Sequence, residues 1–368
     1  MTPNNPVDDS LPTAPVDGQL DSDRVKSVTH PEPGTSQPAK PPFVLMVILV
    51  VLVLALIAGA IMAVRTVQTN QRVDDAKDRF IAAIIDLDSD NPLTRGDAIA
   101  QLFAVADVWS DMGATYSGER DKCIQAVQKY VRKPIAQGSD GQADPTELWV
   151  RREISQLLRA HLIDGGTRSW ADYSFDFSGG TFVDADFSGA ALESATFSNA
   201  SFLGETRFNG ASLGTSSDRE PDALPVFSAD FRGATFAGGV DFGAARLSNA
   251  DFSHAVFSGS ADFEYTSFSC AEYMICEIDF SGASFGSDAQ FSGAEFDDLT
   301  YFNQATFAIE PVFGSIPVTV DVPTAIPATV FLGSREGKDP VVVTGATAIV
   351  DGKTCPLIIS DGIPIAGC

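Results

Sequence analysis

Gly282-Ala283-Ser284-Phe285-Gly286 has the Gly-x-Ser-x-Gly spacing that lifts a nucleophilic serine above a sheet when it sits on a strand-turn-helix. Ala283 and Phe285 belong to another and stronger pattern, in which Ser284 is only the outward-facing residue. The three histidines, His30, His161 and His254, are scattered over three different stretches and read as structural or solvated. Asp297-Asp298 could attract a cation weakly but lacks dedicated ligand spacing. The five cysteines (Cys123, Cys270, Cys276, Cys355, Cys368) are an odd number with no Cys-x-x-Cys, which suggests neither a zinc site nor a disulfide framework. Whether Cys355 and Cys368 pair stays open. No phosphate-binding loop, dinucleotide glycine set, His-Glu-x-x-His or calcium loop occurs. The expectation is a non-enzyme with no catalytic, cofactor-binding or metal residues and no small-molecule substrate.

The pattern that absorbs Ser284 runs from about Phe177 to Phe307. An aromatic or aliphatic residue returns every five positions, as in Phe177, Phe182, Phe187, Leu192, Phe197 and Phe202. Two residues before most of these sits an alanine (Ala185, Ala190, Ala195, Ala250, Ala283), and between the two a polar residue such as Asp186, Asp230, Asp251 or Asp279. A period of five suits neither a helix nor a flat strand. It suits a solenoid whose units each make one short straight side and then turn. Alternate residues of an extended segment share a face, so Phe and Ala point inward and Asp outward. Ser188-Gly189, Ser198-Asn199 and Asn209-Gly210 supply corners. The outward Asp then reads as a solvated turn former: Phe252→Ala should destabilise sharply and Asp251→Ala hardly at all.

Ala185-Asp186-Phe187-Ser188-Gly189 resembles the unit of the pentapeptide-repeat family, roughly Ala-Asp/Asn-Leu/Phe-x-x, and some twenty such units cover about 140 residues. The resemblance implies a mainly β fold: a right-handed quadrilateral β-helix, four units per turn, with a solid Phe/Leu core. Phe outnumbers Leu, and several gaps are six residues (Phe202 to Phe208, Phe236 to Phe242, Phe257 to Phe263, Phe285 to Phe291, Phe296 to Phe302). These features resemble the family's Phe-rich subgroup, and each extra residue is expected to form a bulge in a strand. In this frame Cys276 takes an inward position and Cys270 a corner, so the two should not be bridged.

The net charge of −25 is unevenly placed: residues 171–313 hold 22 acidic and 4 basic side chains. Such a rod repels nucleic acid and favours a basic protein partner. Residues 1–42, rich in Pro, Ser, Thr and Asp, cannot bury enough apolar surface to fold. Residues 43–64 carry no charge and have the length of a single transmembrane helix. Arg65, Arg72, Lys77 and Arg79 follow it and only Lys40 closely precedes it, which places the C-terminal part in the cytoplasm.

Residues 65–170 read as helices: Phe80, Ile84, Ile85 and Leu87 on one face, a stop and restart at Asp90-Asn91-Pro92, then Ile99, Leu102 and Phe103, Ile124 to Val131, and Leu148 to Leu162. Arg95, Ala98-Ile99, Leu102 and Tyr130-Val131-Arg132 resemble a helical segment that precedes the repeats in membrane-anchored bacterial members of the family. The segment is expected to cover the first coil, with Trp170 at the junction. Gly214 to Val226 interrupts the repeat as an insertion loop, while 171–307 form the β-helix and 308–368 a β-rich C-terminal cap. Together these features favour a scaffold in a bacterial cell membrane, crossing it once and presenting an acidic rod to a protein partner, with no direct nucleic-acid binding. The alternative is a DNA-mimicking modulator of a type II topoisomerase, as some members of the family are.

Overall fold

The computed structural model describes residues 43–135, 142–163, 169–171, 173–192, 194–214, 229–268, 277–296, 299–313, 341–360 and 363–368. Chain contacts divide it into two units, residues 1–65 and 66–368. In the first, residues 43–65 belong to helix α1 (Phe43–Asp86), and every side chain from Phe43 to Val64 is exposed. Among the described residues this is the one helix long and apolar enough to cross a membrane.

In the second unit, α1 continues without a break from Thr66 to Asp86 and buries Ala76 and Ala83. Ile85, expected on the apolar face, is instead exposed, because the packed side of the helix is the one that carries Val73, Ala76, Phe80, Ala83 and Ile84. Helix α2 (Pro92–Asp111) begins where the sequence restarts: Asn91 Oδ1 accepts the Leu93 N–H at 3.0 Å and Pro92 opens the first turn. Helix α3 (Ser117–Val131) packs on α2. Helix α4 (Pro145–Leu162) repeats the same start, with Asp144 accepting from Thr146.

The repeat folds as four stacks of short parallel strands. Side I runs from Ser174–Asp176 through Ala229–Asp230 and Ala250–Asp251 to Leu299–Tyr301 and Val341–Val342. Side II runs from Thr181–Val183 through Thr235–Phe236 and Val256–Phe257 to Thr347–Val350. There two antiparallel strands, Lys353–Ser360 and Ile363–Ala366, extend it to nine. Side III comprises Thr206–Arg207, Val240–Asp241, Ala261–Asp262 and Ala289–Gln290. Side IV runs from Ala191–Leu192 to Glu295–Phe296. Because each coil repeats the same backbone path, like stacks on like. Phe177, Phe197, Phe231, Phe252, Phe280 and Phe302 form one column, with successive ring centroids 4.8–5.3 Å apart. A second runs from Phe182 to Phe307 and a third from Phe187 to Phe313. The inward small position is also conserved in register, Ala195 against Ala229 and Ala250. In the first coil Phe175 fills it, a core residue that lies outside the period.

The placement of the longer steps corrects a sequence expectation. Four of the five noted six-residue gaps, and a further one from Phe307 to Phe313, fall between side II and side III. The extra residue therefore lies in a corner rather than as a bulge, and the ladders on both sides stay unbroken. That corner is tight. A Cβ at Gly238 would come 2.3 Å from the Gly204 carbonyl oxygen and 2.6 Å from its carbon, both backbone atoms of the coil below. Neither neighbour can rotate away, so Gly238→Ala should destabilise by about 1–3 kcal/mol, as overpacking does. A thermal melt equal to wild type would show that the corner can open.

The open question of Cys355 and Cys368 is answered: they form a disulfide, with Cα atoms 5.4 Å apart. The hairpin register explains it, since Leu357 pairs with Ala366 and Ile358 with Ile365, which sets residue 355 across from 368. Cys270 and Cys276 lie outside the described residues, as do Asp297-Asp298 and nearly all of the expected insertion loop. That insertion leaves the frame intact, for Ala195 pairs with Ala229 directly across it and Phe197 stacks on Phe231 at 5.0 Å.

Candidate interaction surface

The outward residues of the four sides differ in kind. On side I, Asp176, Thr196, Asp230, Asp251, Asp279 and Tyr301 succeed one another in register. On side III the succession is Asp186, Arg207, Asp241, Asp262 and Gln290. Side II presents Thr181, Ser201, Thr235, Val256, Ser284, Thr306 and Thr347, none of them charged. Sides I and III face opposite ways around the coil, so the acidic charge lies in two rows separated by a neutral face.

Each acidic row is fixed by the backbone. Asp176, Asp186, Asp230, Asp241, Asp251, Asp262 and Asp279 all accept the main-chain N–H two residues on, at 2.7–3.1 Å. This is the turn that a short carboxylate side chain makes at low entropic cost. It also draws the carboxylates in against the corner, and here the expectation of a solvated Asp251 fails: the residue is 4% exposed. Burial pushes its carboxyl above the ordinary range, and Asp279 and Asp230 in the neighbouring coils add to this against the Ser253 hydrogen bond. Asp262 moves the same way, through burial and then Asp241.

A raised folded-state value means that protonation favours the folded form. This contribution is full below the unfolded carboxyl value of about 3.9 and is lost as pH rises through the folded value. Asparagine keeps the turn acceptor and removes the charge. Asp251→Asn should therefore melt above wild type at pH 7, with the two melting points converging below pH ~3.9. A gap that stays constant with pH would show that charge is not its cause.

At the rod's first coil the electrostatics reverse. Burial alone would raise Asp176 and Asp186, but Ser178 with Arg132, and Ser188 with Arg159 and Arg207, hold both carboxyls below the ordinary range. Arginines from the helical segment also take carbonyls that no preceding coil can reach: Arg132 donates to Asp176 O, Arg151 to Thr181 O at 3.0 Å and Arg159 to Ser188 O at 3.0 Å. A groove of about 410 Å³ beside them is lined by Arg152, Arg159, Asp184, Asp186 and Arg207, whose charges largely offset one another.

Arg95, Tyr130 and Glu147 form a buried network behind this junction. Glu147 accepts from Arg95 at 2.6 Å, from Tyr130 at 2.9 Å and from Arg151 at 3.0 Å. Burial, then Glu147 against the Arg95 hydrogen bond, pushes the Tyr130 phenol up to about 12, so it acts as a neutral donor. Sequence reasoning singled out Arg95 and Tyr130 but not Glu147 or Arg151; the signal available was an acid and a base four apart on one helix. Trp170 is buried and stacks on His161 at 4.2 Å and Phe103 at 5.0 Å.

The residues weighed for chemistry are not brought together. Ser284 is an outward residue of side II between buried Ala283 and Phe285. His254 sits at the corner between sides I and II with φ 58°, its ring 2.6 Å from where a Cβ on Gly282 would stand. His161 bonds Leu157 O and Asp107. Among the described residues no group of three His, Cys, Asp or Glu side chains is placed to hold a metal.

One comparison bears on this architecture. Residues 227–267 match the family model of pentapeptide repeats (9 copies). The matched segment spans two consecutive coils, from the side I strand at Ala229 to Ser267, the first residue of a side IV strand. No curated protein matches the chain, and no solved structure does.

Proposed function

We propose that this chain is a membrane-anchored, non-enzymatic scaffold whose pentapeptide-repeat rod presents acidic rows to a basic protein partner. In this reading the rod is a right-handed β-helix of the Phe-rich subgroup, of the membrane-anchored bacterial type. The terminal hairpin, pinned by Cys355–Cys368, acts as the cap over the last coil. The observation that carries the reading is the pair of Asp rows on sides I and III, each carboxylate held by a backbone N–H over a packed Phe core. Charges fixed in place lose little freedom on binding, which is what a recognition surface needs. The family match favours a protein-interaction role.

Photo-cross-linking of the full chain in membranes, followed by mass spectrometry, tests the proposal. A basic protein should be captured at side III and released by salt, and Asp241→Asn/Asp262→Asn, at half-buried positions, should lose it. Capture unchanged by the double variant would remove the acidic rows from the account. The type II topoisomerase alternative draws on the same rows, and a supercoiling assay with the purified chain addresses it: inhibition at micromolar protein would favour it.

The cations after the span favour a cytoplasmic rod in the cell membrane. The disulfide favours the opposite side, because disulfides persist in oxidising compartments. A cysteine at Ser139, in a background without the native five, should resist an impermeant thiol reagent in intact cells if the charge bias prevails. Ready labelling would place the rod outside.

A further inference from the structure

The geometry points to side II as the face through which two copies of this chain pair, with their rods parallel. Its outward row carries no charge from Thr181 to Thr347, whereas sides I and III carry the acidic rows and side IV carries Arg246 and Glu295. Four of the rod's exposed large apolar residues lie on it, Val256 mid-way and Ile349, Ile358 and Ile365 on the terminal hairpin, with Ile309 at its edge; Val312 lies on side III and Tyr265 at the corner between sides III and IV. Ile358 lies directly across from Ile365.

Side II has only one-residue expansions at its corner with side III, and its strands run in unbroken register over nine members.

A second copy fits this face better than another protein because of how charge is arranged around it. Pairing through side I or side III would set like charges against each other in a homodimer, and pairing through side II does not. A two-fold axis parallel to the rods makes the contact isologous. That axis brings the corner holding Arg232 and His254 of one copy beside the corner holding Glu205 and Asp288 of the other. All four residues are exposed. The apolar row would be covered at the centre, and at each rim Arg232 of one copy, which pairs with its own Asp230 at 3.0 Å, would lie one coil from Glu205 of the other.

The test places a benzophenone photo-cross-linking residue at Thr235 or Thr306 on side II, and at Ser212 or Ser267 on side IV, in the full chain in membranes. Side II positions should give an adduct of twice the chain mass containing side II peptides of the same chain, and side IV positions none. Val256→Asp should reduce the Thr306 adduct at least tenfold, and Val256→Thr should leave it. Equal adducts from both sides, adducts to a different protein at side II, or an adduct indifferent to Val256→Asp would each overturn the proposal. Both Val256 variants point outward, so an unchanged thermal melt separates loss of pairing from loss of fold. Because the readout joins identical chains, it is independent of whether the acidic rows bind a basic partner.

Discussion

Phe252→Ala is expected to lower stability by about 3–5 kcal/mol, the range for truncating a buried phenylalanine. The ring is fully buried and stacks between Phe231 at 5.0 Å and Phe280 at 4.9 Å in its own column. Phe242 at 5.4 Å and Phe263 at 5.6 Å meet it edge-on from the side III column. Offset stacks and edge contacts are the favourable geometries for aromatic pairs, and one ring here makes both kinds in several directions. Collapse cannot refill the site. The ladder hydrogen bonds Phe252 N–H to Asp279 O and Phe231 N–H to Asp251 O hold the coils at fixed spacing. A cavity therefore persists, with its penalty added to the lost transfer energy. Denaturant titration measures this, and Phe252→Leu should recover much of the loss because Leu213 and Leu247 already fill equivalent places on side IV. If Phe252→Ala melts like wild type, the side I column does not carry the rod's stability.

How much of this was legible depended on whether the signal was periodic. The Phe columns and the Ala beside them were readable because one inward position recurs every five residues and nothing else explains it. The placement of the sixth residue was not, because the sequence shows that a step is longer without showing whether strand or corner absorbs it. The glycines at 204 and 238 hint at the corner, but only the stacked backbone makes the reason plain. Asp251 was read in direction correctly and in exposure wrongly, since a side chain can point out of a sheet and still fold back onto its own turn. The Cys355–Cys368 link needed the hairpin register, a long-range quantity that no local spacing encodes. On the helical side the stop and restart around Asn91-Pro92 was plain, because capping chemistry is local. The network joining Arg95, Tyr130, Glu147 and Arg151 was not, for its members come from three helices.

That network supports the other large expected effect. Glu147→Ala should destabilise the chain by about 3–5 kcal/mol, the range for removing one partner of a buried ion pair. Glu147 is 3% exposed and Arg151 1%, so water cannot replace the lost carboxylate. The other hydrogen bonds of Arg151 go to carbonyls, Val131 at 2.8 Å, Lys133 at 2.5 Å and Thr181 at 3.0 Å, and its guanidinium lies over the Tyr130 ring. Those contacts orient the guanidinium toward the first coil but bring no negative charge, so an uncompensated cation would remain where the helices meet the rod. Arg95 would lose its 2.6 Å partner in the same step. Glu147→Gln should cost less, because it retains an acceptor for Tyr130. Replacing both members, Glu147→Met with Arg151→Met, should cost less than Glu147→Ala alone, since apolar side chains of similar volume remove the fully buried Arg151 charge together with its partner and leave only Arg95, which keeps its bonds to the Ser89 and Asp90 carbonyls. Melting curves of these variants, with Glu147→Met and Arg151→Met each alone, decide it. If the double variant is as unstable as the two single losses combined, the pair acts as two independent contacts and the stranded charge is not what destabilises Glu147→Ala.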